Sequence, residues 1–136
     1  MGLYIMDTHP LIWLKTHKRN KLSKKVITII DGTNSGDDSI YIPAPVIWEL
    51  GAYYKTNKFK VKKYPLFKDW INNEIFTNEN IRFIETTFDD VTLSGDMNIN
   101  NDPFDNLIVA TAIRMGAPLI TKDERIVSSG VCETIW

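Results

Sequence analysis

The chain has 136 residues, 43% of them hydrophobic, enough for one domain with a real core and too few for two comfortable ones. Sixteen basic against seventeen acidic residues leave a formal charge of -1, which argues neither for nor against a nucleic-acid partner. The lone Cys132 excludes an internal disulfide, and the first apolar run, "LYIM", is ended by Asp7 far short of a signal or membrane segment. A single domain over residues 1–136, cytoplasmic and without a membrane partner, is therefore expected.

In chain order, "GLYIM" is apolar without alternation, the pattern of a strand covered on both faces, and it stops at Asp7. "HPLIWLKTH" reads as a helix with proline early. "LSKKVITIIDG" reads as a second, with Ser23 as N-cap and Gly32 as terminator. "DGTNSGDDS" is a turn cluster inside the domain, and "SIYIPA" is a strand. "PVIWELGAYYKTN" and "YPLFKDWINNEIF" place apolar residues at helical spacing. "IRFIETT" is a strand, after which Thr87 and Asp90 open a short helix, "FDDVTLSGDM". A longer helix starts after Asp102 and ends at Gly116. "APLIT" is a strand, "DERIVSSG" a short helix or turn, and "CETIW" a last strand. Strands alternating with helices indicate parallel pairing through helical crossovers, so the expected fold is an α/β sandwich, three-layered, with a central parallel sheet of four or five strands.

Ligands of open α/β sheets gather at the carboxyl ends of the strands. Asp7 stands at the end of the first strand and Asp123 two residues beyond "APLIT". Asp105 opens the helix leading toward that strand, and Glu49 sits inside the apolar stretch "PVIWELGAYY". Each has a local explanation: Asp7 and Asp123 as helix caps, Asp105 as the acid of the start signal Asp102-Pro103-x-Asp105, Glu49 as part of a solvated face. Taken jointly, four acids from four segments would repel one another unless a cation lay between them. An oxygen-only cluster suits Mg2+, with Mn2+ able to substitute. Such an ion can lower the pKa of a bound water and neutralise a phosphoryl group, so the expected chemistry is metal-assisted hydrolysis of a phosphodiester. His9 and His17 are isolated and read as capping or surface residues rather than zinc ligands. No phosphate-cradling glycine loop is present, and Ser128 and Ser129 have no histidine nearby.

Of the sixteen lysines and arginines, six lie in residues 15–25 and six in residues 55–68. Lys15, Lys18, Arg19, Lys58, Lys60, Lys62 and Lys63 are candidates for phosphate contacts, and Phe59, Tyr64 and Phe67 for stacking on unpaired bases; the alternative is that these stretches only keep the surface soluble.

"LYIMDTHPLIW", "VIWELGAYY", "DPFDNLIVATAIRMGAPLITKD" and "GVCETIW" together resemble the PIN-domain ribonucleases, in particular the VapC-type toxins of bacterial toxin-antitoxin pairs, over essentially the whole chain. The resemblance implies an α/β/α sandwich and a Mg2+-dependent endoribonuclease whose acidic site is held by Asp7, Glu49, Asp105 and Asp123. It also implies an antitoxin that covers the site, dimerisation, and a possible toxin-antitoxin hetero-oligomer. Relatives often carry His-Arg before Asp-Pro-Phe-Asp and Arg after it, where this chain has Asn100, Asn101 and Asn106. Thr8 and Thr121 are candidates to hydrogen-bond a carboxylate or metal-bound water, or to act as ordinary local caps. Two alternatives stand beside the nuclease: a non-catalytic PIN-like module that binds RNA or protein, and a phosphoacceptor domain, which would carry paired acids after the first strand where this chain has Asp7-Thr8.

Overall fold

The strand Gly2–Met6 (β1) occupies the middle of a five-stranded sheet, where apolar side chains are required on both faces; Ile5 and Met6 are accordingly buried. A computed structural model of the chain describes residues 2–16, 18–56 and 63–136. The other strands are β2 (Asp38–Pro43), β3 (Ile81–Ile84), β4 (Leu119–Ile120) and β5 (Thr134–Ile135). All neighbours pair in parallel, in the order β3-β2-β1-β4-β5. Seven α-helices among the described residues cover the sheet: α1 (Thr8–Lys15), α2 (Lys24–Ser35), α3 (Ala44–Lys55), α4 (Phe67–Glu74), α5 (Phe88–Gly95), α6 (Pro103–Met115) and α7 (Glu124–Ser129). A 3-10 turn over Arg19–Lys21, which the sequence pattern does not announce, joins α1 to α2. The expected α/β/α sandwich is thus present, at the upper of the two strand numbers.

The core is built where helices press on the central strands. Leu11 of α1, Val26 of α2, Val46 and Leu50 of α3, and Ile108 of α6 are fully buried against Ile5, Ile40, Ile42 and Leu119. Each such side chain contributes roughly 1.5–3 kcal/mol by leaving water. Trp70, 1% exposed, is the largest of them; it stacks on Phe67 of its own helix and ties α4 to Tyr54 of α3. Phe67 is half-buried and packs on Tyr54 and Trp70.

Several boundaries differ from the sequence reading. Gly32 does not end α2, which runs on to Gly36, where the backbone turns left-handed at φ 87°. At Gly32 the missing side chain serves a close approach: a Cβ there would meet Asp38 Oδ2 at 2.0 Å, and the Asp38 carboxylate accepts from the Gly2 N–H at 3.0 Å. Gly116, by contrast, ends α6 as expected, left-handed at φ 59°. "DERIVSSG" resolves into a helix, α7, capped by Asp123. The segment "YPLFKDWINNEIF" is helical only over Phe67–Glu74. Asn57, the last residue of the helix expected over "PVIWELGAYYKTN", lies outside the described residues.

The strand order places a topological switch at β1. One path from it leads to β2 and β3, and the chain returns on the other side to form β4 and β5. The crevice above the carboxyl ends of β1 and β4 is where such folds bind ligands.

Candidate active site

Four segments bring carboxylates to this crevice. Asp7 leaves β1 with extended backbone, and its Oδ1 caps α1 by accepting from the Thr8 N–H at 2.8 Å. Because β4 runs alongside β1, with Met6 opposite Ile120, Thr121 arrives beside Asp7 and its hydroxyl donates to Asp7 Oδ2 at 2.7 Å. Glu49 projects from α3, which packs against α1 and α6; the Thr8 hydroxyl donates to its Oε1 at 2.9 Å. Asp105 is the third residue of α6, behind the cap Asp102, whose Oδ1 accepts from the Phe104 N–H at 2.9 Å. Asp123 caps α7 by accepting from the Arg125 and Ile126 N–H groups at 2.9 and 3.2 Å. Its own N–H donates to the Thr121 hydroxyl at 3.1 Å, so Thr121 braces two acids at once.

Asp7, Glu49, Asp105 and Asp123 line a single cleft of about 330 Å³, together with Thr8, His9, Pro10, Trp13, Tyr53, Asp102 and Lys122. Asp102, expected only as a helix cap, is therefore a wall of the cleft as well. Asn100 also departs from expectation. At this position, where relatives often carry a basic residue, its Nδ2 donates to Asp105 Oδ2 at 2.9 Å and its Oδ1 accepts from the Asp102 N–H at 2.8 Å. Asn106 is buried, and its carboxamide oxygen has no partner among the described residues.

Crowding of like charges in a half-dry cleft shows in the acids' proton affinity. Burial pushes Glu49 up to about 7, opposed by the Thr8 hydrogen bond and reinforced by the charges of Asp7, Asp102 and Asp105. Burial likewise pushes Asp105 up to about 6, opposed by Asn100 and reinforced by Asp7, Asp102 and Asp123. Asp7 is raised mainly by its own burial, with Thr121, the Thr8 N–H and His9 working in the other direction. Tyr53 is raised by burial and then by the same acids.

Among the described residues, no three His, Cys, Asp or Glu side chains are drawn closely enough together to form a complete cage for an ion. A magnesium ion needs none, since it keeps several waters and takes one or two carboxylates plus substrate oxygens. The four carboxylates offer oxygen donors only, and they concentrate negative charge in one cleft. These residues therefore fit a hard divalent cation, with Asp7, Glu49, Asp105 and Asp123 as the groups that could hold it.

Among the described residues the cleft lining contains one lysine, Lys122, and none of Lys15, Lys18, Arg19 or Lys63. Arg19 approaches Asp31 at 4.0 Å across exposed surface, and the Lys63 ammonium lies 5.5 Å from the Tyr64 ring. Lys58, Phe59, Lys60 and Lys62 lie outside the described residues, as does His17. Lys122 sits between Thr121 and Asp123, so its place after β4 was legible; composition, which weighs clusters, passes over an isolated lysine.

An open parallel α/β sheet whose switch-point crevice is lined by carboxylates from four segments defines a class of acid-site α/β proteins. The family can be stated more closely: the chain belongs to the PIN domain family, which matches residues 4–129. Among solved structures, the fold is similar to VapBC2 from Rickettsia felis bound to a DNA fragment from their promoter, at 15% identity and TM-score 0.68, covering 98% of this chain and 97% of that one. It is also similar to VapBC-1 from nontypeable Haemophilus influenzae, at 17% identity and TM-score 0.60, covering 98% and 96% respectively. No curated protein sequence matches the chain significantly.

Proposed function

We propose that the protein is a Mg2+-dependent endoribonuclease, the toxin of a toxin-antitoxin pair, acting as a single domain in the cytoplasm. What carries the reading is the convergence of Asp7, Glu49, Asp105 and Asp123 on one cleft in a chain of the PIN family. Support for an antitoxin partner comes from the similar solved structures, which are VapBC assemblies; dimerisation belongs to the same proposal.

Asp7 and Asp105 would hold the ion most directly, with Glu49 and Asp123 completing the site through water. When bound, the ion supplies a water of lowered pKa and neutralises charge on the phosphoryl group. The protein's part is positioning. Thr121 holds Asp7 through one oxygen while the Thr8 N–H holds the other, Asn100 fixes Asp105, and Thr8 fixes Glu49. Clamped in this way, the carboxylates lose little freedom when substrate arrives. Without the ion, burial pushes Glu49 up to about 7, so binding of a divalent cation near neutral pH would release a proton from it. Water, and not the ribose 2'-hydroxyl, is the nucleophile at phosphorus, and the P–O3' bond breaks with a proton going to the 3'-oxygen, so the products carry 5'-phosphate and 3'-hydroxyl ends. End-group analysis of RNA cut by purified protein tests this; recovery of 2',3'-cyclic phosphate ends contradicts it.

A further inference from the structure

The cleft sets the carboxylates of Asp7, Glu49, Asp102, Asp105 and Asp123 beside one described lysine, Lys122. The segment that carries Asp105 adds no cation, since Asn100, Asn101 and Asn106 are carboxamides. Asp123 and Glu124 follow Lys122 directly, yet among the described residues it forms no ion pair with any carboxylate. Its ammonium instead lies over the ring face of Trp136, 5.8 Å from the centroid. The fold arranges this meeting. Parallel pairing sets Ile120 of β4 opposite Ile135 of β5, and the Thr121 N–H donates to the Ile135 carbonyl at 3.2 Å, so Trp136 arrives beside the Thr121-Lys122-Asp123 turn. Trp136 is half-buried and is held by Trp13, which meets it edge-on at 5.7 Å and, with His9 and Tyr53, forms an aromatic side of the cleft. Lys122 itself is exposed, on the border between the cleft and a second hollow beside α7.

A ring face attracts an ammonium without neutralising it, so the group keeps its charge and its N–H donors for an anion entering the cleft. A carboxylate partner would have used both. RNA brings a negative charge with every nucleotide, and the acid-lined walls repel each phosphate that no cation meets. A bound metal ion answers the phosphate under attack; its neighbour along the strand needs a cation of the protein's own. We infer that the Lys122 ammonium, held over Trp136, binds the phosphate next to the one under attack and so anchors the RNA backbone in a cleft that otherwise repels it. The contact is to phosphodiester oxygen and is independent of base. Trp136 is a positioning residue that acts through Lys122, keeping the ammonium off Asp123 and Glu124. The inference rests on the nuclease reading and adds to it the residue that grips the substrate.

Binding is read with the Asp105→Asn protein in chelator, which keeps RNA uncut. A labelled single-stranded oligoribonucleotide is titrated by anisotropy at several salt concentrations. Adding Lys122→Gln should weaken binding about fivefold at about 0.1 M salt and flatten the plot of log affinity against log salt by about 0.7, the share of one phosphate contact. Lys122→Arg should restore both. Trp136→Leu changes no charge and should flatten the slope as well, while Trp136→Phe should keep it. Lys24→Gln removes the same charge from the exposed start of α2 and should leave slope and affinity at the parent's values. In Mg2+, with Asp105 restored, Lys122→Gln should raise KM about fivefold and hold kcat within about twofold, the pattern of a contact made equally in ground and transition states. The Lys122 and Lys24 variants should keep the parent's melting temperature, both side chains being exposed.

An unchanged salt slope in Lys122→Gln overturns the inference. So does an equal fall in Lys24→Gln, which would make the effect one of overall charge. A parent-like slope in Trp136→Leu overturns the positioning role of Trp136. A loss confined to kcat would put the ammonium on the reacting phosphoryl group itself and overturn the anchor too. The two readings fail differently. Lys122→Gln protein that binds and cuts as the parent does, while Asp105→Asn stops cleavage, sinks the anchor and leaves the nuclease. Absence of both RNA binding and Mg2+-dependent cleavage in the unmutated protein sinks both.

Discussion

Asp105 and Asp102 occupy one helix start and do different work. Asp102→Ala removes a cap worth about 1 kcal/mol, so urea unfolding should register a loss of that size. Asp105→Asn keeps the helix start and should abolish cleavage with the fold intact. Proton affinity sharpens the picture. Asp105 and Glu49 are raised in the folded state to about 6 and about 7. A raised carboxyl lends the native state stability that is fully present below its unfolded pKa, near 4, and lost as pH rises through the folded value. Without metal, stability should thus fall between about pH 4 and pH 7 on account of these two groups. A divalent ion prefers their charged forms, so the rise in melting temperature caused by Mg2+ over chelator should be larger at about pH 8 than at about pH 5. A metal effect equal at both would contradict the assignment. Asn100→Ala removes the hydrogen bond that holds Asp105 down. The acidic limb of the cleavage profile should then move to higher pH, while a purely structural Asn100 would leave it in place.

Among the elements, those with strong local signals were legible in the sequence. Ser23, Thr87 and Asp102 cap α2, α5 and α6 as their spacing implies, and Thr87 with Asp90 forms a reciprocal capping box. Gly32 misled because a glycine before a turn cluster looks like a terminator, whereas its use depends on Asp38, which belongs to a different element. Gly36 is the residue that needs the left-handed backbone, and Gly36→Ala should cost about 1 kcal/mol in urea unfolding. Asp90 shows the same limit. Its capping role was legible, but not its bidentate pairing with Arg114 of α6, at 2.7 and 3.0 Å, nor the Thr111 hydroxyl on the same carboxylate. That clamp joins α5 to α6 and steadies the helix that carries Asp105. Arg114→Ala leaves Asp90, 1% exposed, without its cation. Breaking a pair of this kind costs roughly 3–5 kcal/mol when both partners are buried. Arg114 is 28% exposed, so about 2–3 kcal/mol is the loss expected in urea unfolding, partial exposure weakening such pairs.

Across the whole molecule, parallel topology and the acid-lined crevice were legible because both depend on where strands end, and two strand ends carry an acid as a marker, Asp7 after β1 and Asp123 after β4. The aromatic side of the cleft was not, because Trp13 and Trp136 stand at opposite ends of the chain and only the pairing of β5 with β4 brings them together. Charge distribution was visible and pointed to the lysine-rich stretches, while the one lysine among the described lining residues, Lys122, stands alone in sequence. The converged carboxylates are proposed to form a metal-dependent RNA-cutting site. Its most direct measurement is incubation of purified protein with total RNA in Mg2+, in excess chelator, and in Mg2+ with the Asp105→Asn variant. Cleavage in the first sample alone is the predicted result; equal cleavage in all three, or none in the first, would contradict the account.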